Sequence, residues 1–130
     1  MGVRCYGLTQ DPSNGSYMLI MHQMVIDLRK YLLQNHNQIK WKEKIRIAFD
    51  IIISLDRIHR ENAIHRDLHS GNILYSQYTN EFKISDLGFC GPADKPIISI
   101  YGNLPYIAPE VLVGKEYTFE SDIYSIGMLM

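Results

Sequence analysis

Long apolar runs are missing from this chain of 130 residues. The longest, residues 17–21 and 51–53, fall far short of the roughly 20 apolar residues a membrane helix needs, so no membrane contact is expected. No basic and apolar leader opens the chain, and nothing in it points to secretion. Gly2 follows Met1, but position 6 is Tyr6 rather than serine or threonine, so the acylation pattern fails. Charge of one sign is missing too. The 13 Lys and Arg stand against 14 Asp and Glu, a net charge of −1, which leaves neither a nucleic-acid footprint nor an acidic tail. Cysteine is scarce. Cys5 and Cys90 have no metal-ligand spacing and read as small buried thiols of a reducing, cytoplasmic compartment. Repeats and low-complexity tracts are absent. With 46% apolar residues, the chain is one globular domain or part of one.

Local patterns divide it further. Residues 3–9 and 17–21 are predicted strands around the turn formers Asp11-Pro12-Ser13-Asn14-Gly15. Asp27 is placed to cap a short helix ending near Gln34. Residues 41–60 form the clearest helix, with Ile45, Ala48, Ile52, Leu55 and Ile58 as its expected core stripe. Residues 72–75 and 82–84 suit a small hairpin, and residues 88–106, rich in glycine and proline, read as a long functional loop. Ser121 is the expected cap of a last helix.

The chemistry lies in His65-Arg66-Asp67-Leu68-His69-Ser70-Gly71-Asn72, followed by Asp86-Leu87-Gly88 and Ala108-Pro109-Glu110. Taken alone, Asp67 reads more simply as a turn aspartate and Asn72 as a cap. Taken together, in this order and spacing, the segments resemble the protein kinase family, whose signatures are H-R-D-L-x-x-x-N, D-F-G and A-P-E. Ser121-Asp122 adds a match to the start of that family's central helix, and the resemblance covers essentially the whole chain. It implies an α+β fold, a partial kinase-like one. Residues 1–26 would be the end of the small lobe and the hinge, and residues 27–130 the first part of the mainly helical large lobe. It also implies ATP and Mg2+ as cofactors and a protein substrate. Phosphoryl transfer asks the protein chiefly to position groups and neutralise charge. Asp67 would take the proton of the attacking hydroxyl. Asn72 and Asp86 would hold the metal through hard oxygens. Met21 and Met24 would belong to the hinge, and Leu74 would pack beneath adenine. His65 and Leu87 would join a stacked apolar column anchored by Asp122. Arg66 would pair with a phosphate placed by an upstream kinase on Ser99 or Tyr101, the other reading of that stretch being an ordinary polar loop.

Departures from the family pattern accompany the resemblance. No G-x-G-x-x-G loop or V-A-I-K-like lysine lies upstream, and the expected partner of Glu110 does not follow downstream, so the chain by itself is expected to be weakly active or inactive. His69 stands where serine/threonine kinases carry a lysine facing the phosphate. Asn103 occupies the position that separates serine/threonine from tyrosine kinases, and Leu87 replaces phenylalanine. The look of the two loops is nearest to tyrosine-kinase-like serine/threonine kinases. The competing reading is a non-catalytic, pseudokinase-like module that binds a partner protein.

Overall fold

A computed structural model describes residues 3–95, 100 and 102–130. The chain opens with an antiparallel hairpin of β1 (Cys5–Gln10) and β2 (Tyr17–Met21). Strand β1 starts two residues later than the sequence suggested, with a register irregularity between Cys5 and Gly7. The turn is closed as its composition predicts. Asp11 accepts from Ser13 N and Oγ, Asn14 Oδ1 accepts from Ser16 N, and Gly15 takes the left-handed φ of +74°.

Strand β3 (Ile26–Asp27) leads directly into α1 (Leu28–Gln34). Asp27 is its cap, accepting from Lys30 N at 2.8 Å. Helix α2 (Trp41–Arg60) spans the predicted range. Its buried face differs from the expected stripe. Ile47, Ile51, Ser54 and Leu55 are buried, whereas Ile45 and Ile52 are about half exposed, at 53% and 51%. Two apolar stripes of helical period wind around α2, and periodicity cannot say which one meets a neighbour.

Strand β4 (Ala63–Ile64) precedes the motif loop, and β5 (Ile73–Ser76) with β6 (Glu81–Ile84) forms the expected small hairpin. Strand β5 is also the centre of a three-stranded sheet, because β3 pairs on its other side. The long loop carries a 3-10 turn at Leu87–Phe89, the short strand β7 (Gly91–Pro92) paired with β4, and another 3-10 turn at Leu104–Tyr106. Helices α3 (Pro109–Leu112) and α4 (Phe119–Leu129) follow. The cap of α4 is Thr118, not Ser121. Ser121 sits three residues in and returns the bond to Thr118 N, completing a reciprocal capping box.

The core joins α1, α2, the 65–72 loop, β5, β6 and α4 through Leu28, Ile47, Ile51, Leu55, Leu68, Ile73, Phe82, Ile84 and Ile126. Cys90 is half-buried, but Cys5 is exposed, against the expectation of two buried thiols. Among the described residues no helix is long and apolar enough to cross a membrane.

Candidate active site

Asp122 organises the site from below. Its buried carboxylate, 1% exposed, accepts from His65 N at 2.8 Å, Arg66 N at 2.9 Å and His59 Nε2 at 2.9 Å. Three N–H groups on one carboxylate bind the start of the 65–72 loop, and the end of α2, to α4. His65 is fully buried. Its Nε2 pairs with Ser85 O at 3.0 Å and its Nδ1 accepts from Asp67 N at 3.3 Å, which assigns the proton to Nε2. Burial lowers its pKa, so the ring is a neutral packing element, as expected.

Asn72 fastens the second loop to the first. Its carbonyl accepts both Ser85 N and Ser85 Oγ at 2.8 Å, so the chain enters Asp86 beside the 65–72 loop. The Asn72 side chain stays within that loop. Nδ2 donates to the Asp67 carbonyl and Oδ1 accepts from His69 N at 3.1 Å. Asp86 takes a left-handed backbone (φ 55°) and its Oδ1 accepts from Gly88 N at 3.3 Å. Arg66, at φ 72°, is left-handed as well. Such conformations are costly for residues with a Cβ, and they persist where surrounding contacts enforce them.

The structure therefore brings Asp67, Asn72 and Asp86 together. Desolvation raises the Asp67 pKa and the Asp86 charge adds to the shift, while His69 and His65 oppose it. A carboxylate made more basic in this way is a better proton acceptor. His69 accepts from Gly71 N at Nδ1, 3.1 Å, and its Nε2 lies 3.8 Å from Asp67 Oδ2. That is too long for a hydrogen bond but within ion-pair range when the ring is protonated. Among the described residues no group of three or more His, Cys, Asp or Glu side chains could hold a metal. Asn72 and Asp86 instead offer two hard oxygens, a set that suits magnesium, which keeps most of its waters.

Other expectations fare differently. Leu87 is 51% exposed rather than packed in a column, because the 3-10 turn after Asp86 swings it outward. Met21 ends β2, Met24 lies in the connection to β3, and Leu74 is the β5 residue paired with Asp27 and Lys83. Ser99 and Tyr101 lie outside the described residues. Among the described residues no ion pair involves Glu110.

Sequence reasoning missed the role of Gly102. It has φ 113°, and a Cβ there would come within 2.9 Å of Asp67 Oδ1. The glycine thus lets residues 102–106 pass over the candidate base. It also missed Tyr106, whose carbonyl accepts from Ser125 Oγ at 2.6 Å and whose hydroxyl reaches Ser70 Oγ at 3.3 Å. A glycine four residues before a tyrosine was the only trace of either in the sequence.

The family model described as "Protein kinase domain" matches residues 3–130. A Dictyostelium discoideum protein named "Probable serine/threonine-protein kinase" is 32% identical over 133 positions, covering 98% of this chain and 14% of that protein. The MAP kinase kinase MKK1/SSP32 of Saccharomyces cerevisiae is 31% identical, covering 97% of this chain and 26% of its own length. A dual serine/threonine and tyrosine protein kinase of Pimephales promelas is 33% identical, covering 98% and 14%. The chain thus spans about a seventh to a quarter of these relatives.

Proposed function

The chain belongs to the protein kinase family, and from that premise we propose that it carries the part of the enzyme that receives the hydroxyl acceptor and the metal-bound end of ATP. The acceptor hydroxyl is on a protein, serine or threonine rather than tyrosine, and the setting is cytoplasmic. The observation that carries the reading is the pair of hydrogen bonds that Ser85 N and Oγ donate to the Asn72 carbonyl, since it joins the two loops that bear the three oxygen-bearing side chains. Residues 1–26 serve as the end of the small lobe and the hinge, and residues 27–130 as part of the large lobe.

Each residue has one task. Asp67, its basicity raised by burial, accepts the proton as the acceptor oxygen attacks. Asn72 Oδ1 and the Asp86 carboxylate would hold magnesium, which would neutralise charge on the phosphates. His69 replaces the usual lysine and presents Nε2 beside Asp67 toward the transferred group. Met21 and Met24 would line the hinge side of the adenine, and Leu74 would pack below it. Gly102 leaves room for Asp67 to face its acceptor.

The test is transfer of labelled phosphate from magnesium-ATP to a generic protein substrate by the whole gene product. Asp67→Asn, which keeps the shape and removes the base, is expected to lower turnover about 100- to 10,000-fold. A wild-type product inert across substrates and divalent metals, or an unimpaired Asp67→Asn, would exclude the reading.

A further inference from the structure

Arg66 is only 7% exposed, and among the described residues the hydrogen bonds of its guanidinium go to backbone carbonyls rather than to Asp67, Asn72 or Asp86. Its guanidinium lies among backbone carbonyls of the segment that follows Asp86. Nη2 donates to Pro92 O and to Lys95 O, both at 2.9 Å, and Nη1 reaches Phe89 O at a long 3.4 Å. Nε has no partner among the described residues. The same segment is tied to the strand just before Arg66. Ala63 pairs with Pro92, Ile64 with Gly91, and Ala93 N donates to Asn62 O at 2.9 Å.

This arrangement bears on what Arg66 can bind. A guanidinium grips a phosphate with two parallel N–H groups, through its end (Nη1 and Nη2) or its side (Nε and Nη2). Both grips need Nη2, and both Nη2 hydrogens are already committed to carbonyls. Carbonyls of one segment therefore fill the place a phosphate would take.

Gly91 makes the fit possible. A Cβ there would lie 2.7 Å from Arg66 Nη1, closer than real carbon contacts allow, so the guanidinium would have to shift. Its φ is not in the left-handed region, so the need for glycine at this position is one of space, not of backbone conformation.

We propose that Arg66 and Gly91 are positioning residues forming a latch. It holds residues 89–95 against the 65–72 loop through carbonyl bonds, with no phosphate required. This rests on the function proposed above, because the latch matters by keeping Asp86 beside Asp67. Its test does not depend on phosphoryl transfer.

The experiment is hydrogen exchange, read by mass spectrometry, on the chain freed of phosphate with a phosphatase and verified by intact mass. The expected result is protection of the 89–95 amides in the phosphate-free wild type. Exchange there should become about ten-fold faster in Arg66→Met and in Gly91→Ala, with residues 41–60 unchanged. The double variant is expected to lose no more than Arg66→Met alone, because with the guanidinium gone the added methyl meets nothing. Two independent structural effects would add instead. Should Arg66→Met loosen residues 41–60 as well, the wild type and Gly91→Ala still decide. Fast exchange at 89–95 in the phosphate-free wild type, protection that appears only after phosphorylation, or a Gly91→Ala indistinguishable from wild type overturns the latch. A latched chain whose gene product transfers no phosphate would sink the proposed function and leave the latch standing.

Discussion

The hairpin β1–β2 displays Tyr6, Leu8, Tyr17, Met18, Leu19, Ile20 and Met21, each at least 45% exposed. The block around α4 does the opposite and buries a carboxylate and four polar residues of the 65–72 loop, His65, Arg66, Ser70 and Asn72. The hairpin is held by its backbone ladder, the Tyr6–His22 contact at 3.2 Å and an edge contact of the His22 and Tyr78 rings at 4.9 Å. A two-stranded ladder alone is marginally stable in water. The block is held by directional bonds to Asp122, which fix where each loop residue points. Exposed apolar side chains thus mark the hairpin, and buried polar ones the block that fixes the 65–72 loop.

Removing Asp122 should sharpen this contrast most. Asp122→Ala leaves the N–H groups of His65 and Arg66 buried without an acceptor, and it frees His59. A loss of about 3–5 kcal/mol is expected in denaturant unfolding, because several buried donors lose one charged partner together. A loss below about 1 kcal/mol would show that the block does not depend on this carboxylate. Second in size is Ile51→Ala on the buried face of α2. Ile51 is fully buried in the core, so a loss of about 2–5 kcal/mol is expected. Ile52→Ala, one residue on and half exposed, should cost about 1 kcal/mol or less beyond any change in helix propensity.

That neighbouring pair shows where the sequence was readable and where it was not. The motif order was enough to single out the two segments that carry Asp67, Asn72 and Asp86, and the Ser85–Asn72 hydrogen bonds do join those segments. The cap at Asp27 and the small hairpin β5–β6 were equally legible, since their signals are local. The buried face of α2 was not, because two stripes of the same period compete and tertiary contact chooses between them. Nor was the cap of α4. Ser121 is a good cap by type, and only the observed reciprocal bonds show that Thr118 fills that role. The left-handed backbones of Arg66 and Asp86, and the spatial need for Gly91 and Gly102, come from contacts across the fold that no local pattern records.

A smaller effect is expected from pH. Burial holds the His65 pKa below its ordinary 6.5, so below that value the unfolded chain binds a proton that the folded chain refuses. The resulting stability is present above pH 6.5 and lost as pH falls from there toward the folded value. The slope is at most about 1.4 kcal/mol per pH unit, that of one proton. Asp67 acts in the opposite sense. Its raised value makes the folded state bind the extra proton above the ordinary 3.8, so its contribution weakens as pH rises through that window. Comparing the wild type with His65→Gln separates the two. The variant should lose the acid-side decline below pH 6.5, and an unchanged decline would place the proton elsewhere.

The smallest expected change lies in the hairpin. Leu8 and Leu19 face each other across the β1–β2 ladder, 70% and 54% exposed. Threonine keeps the strand preference of a β-branched residue while removing apolar surface from water. Leu8→Thr with Leu19→Thr should therefore shift unfolding by no more than about 0.5 kcal/mol, the ordinary scale of a surface change. The same double variant should reduce self-association in sedimentation, because a contiguous bare apolar strand face promotes contact between copies. A stability loss above about 1.5 kcal/mol would mean that this face is covered in solution. The hairpin would then be a packed element like the block it is contrasted with, and exposure alone would no longer separate the two regions.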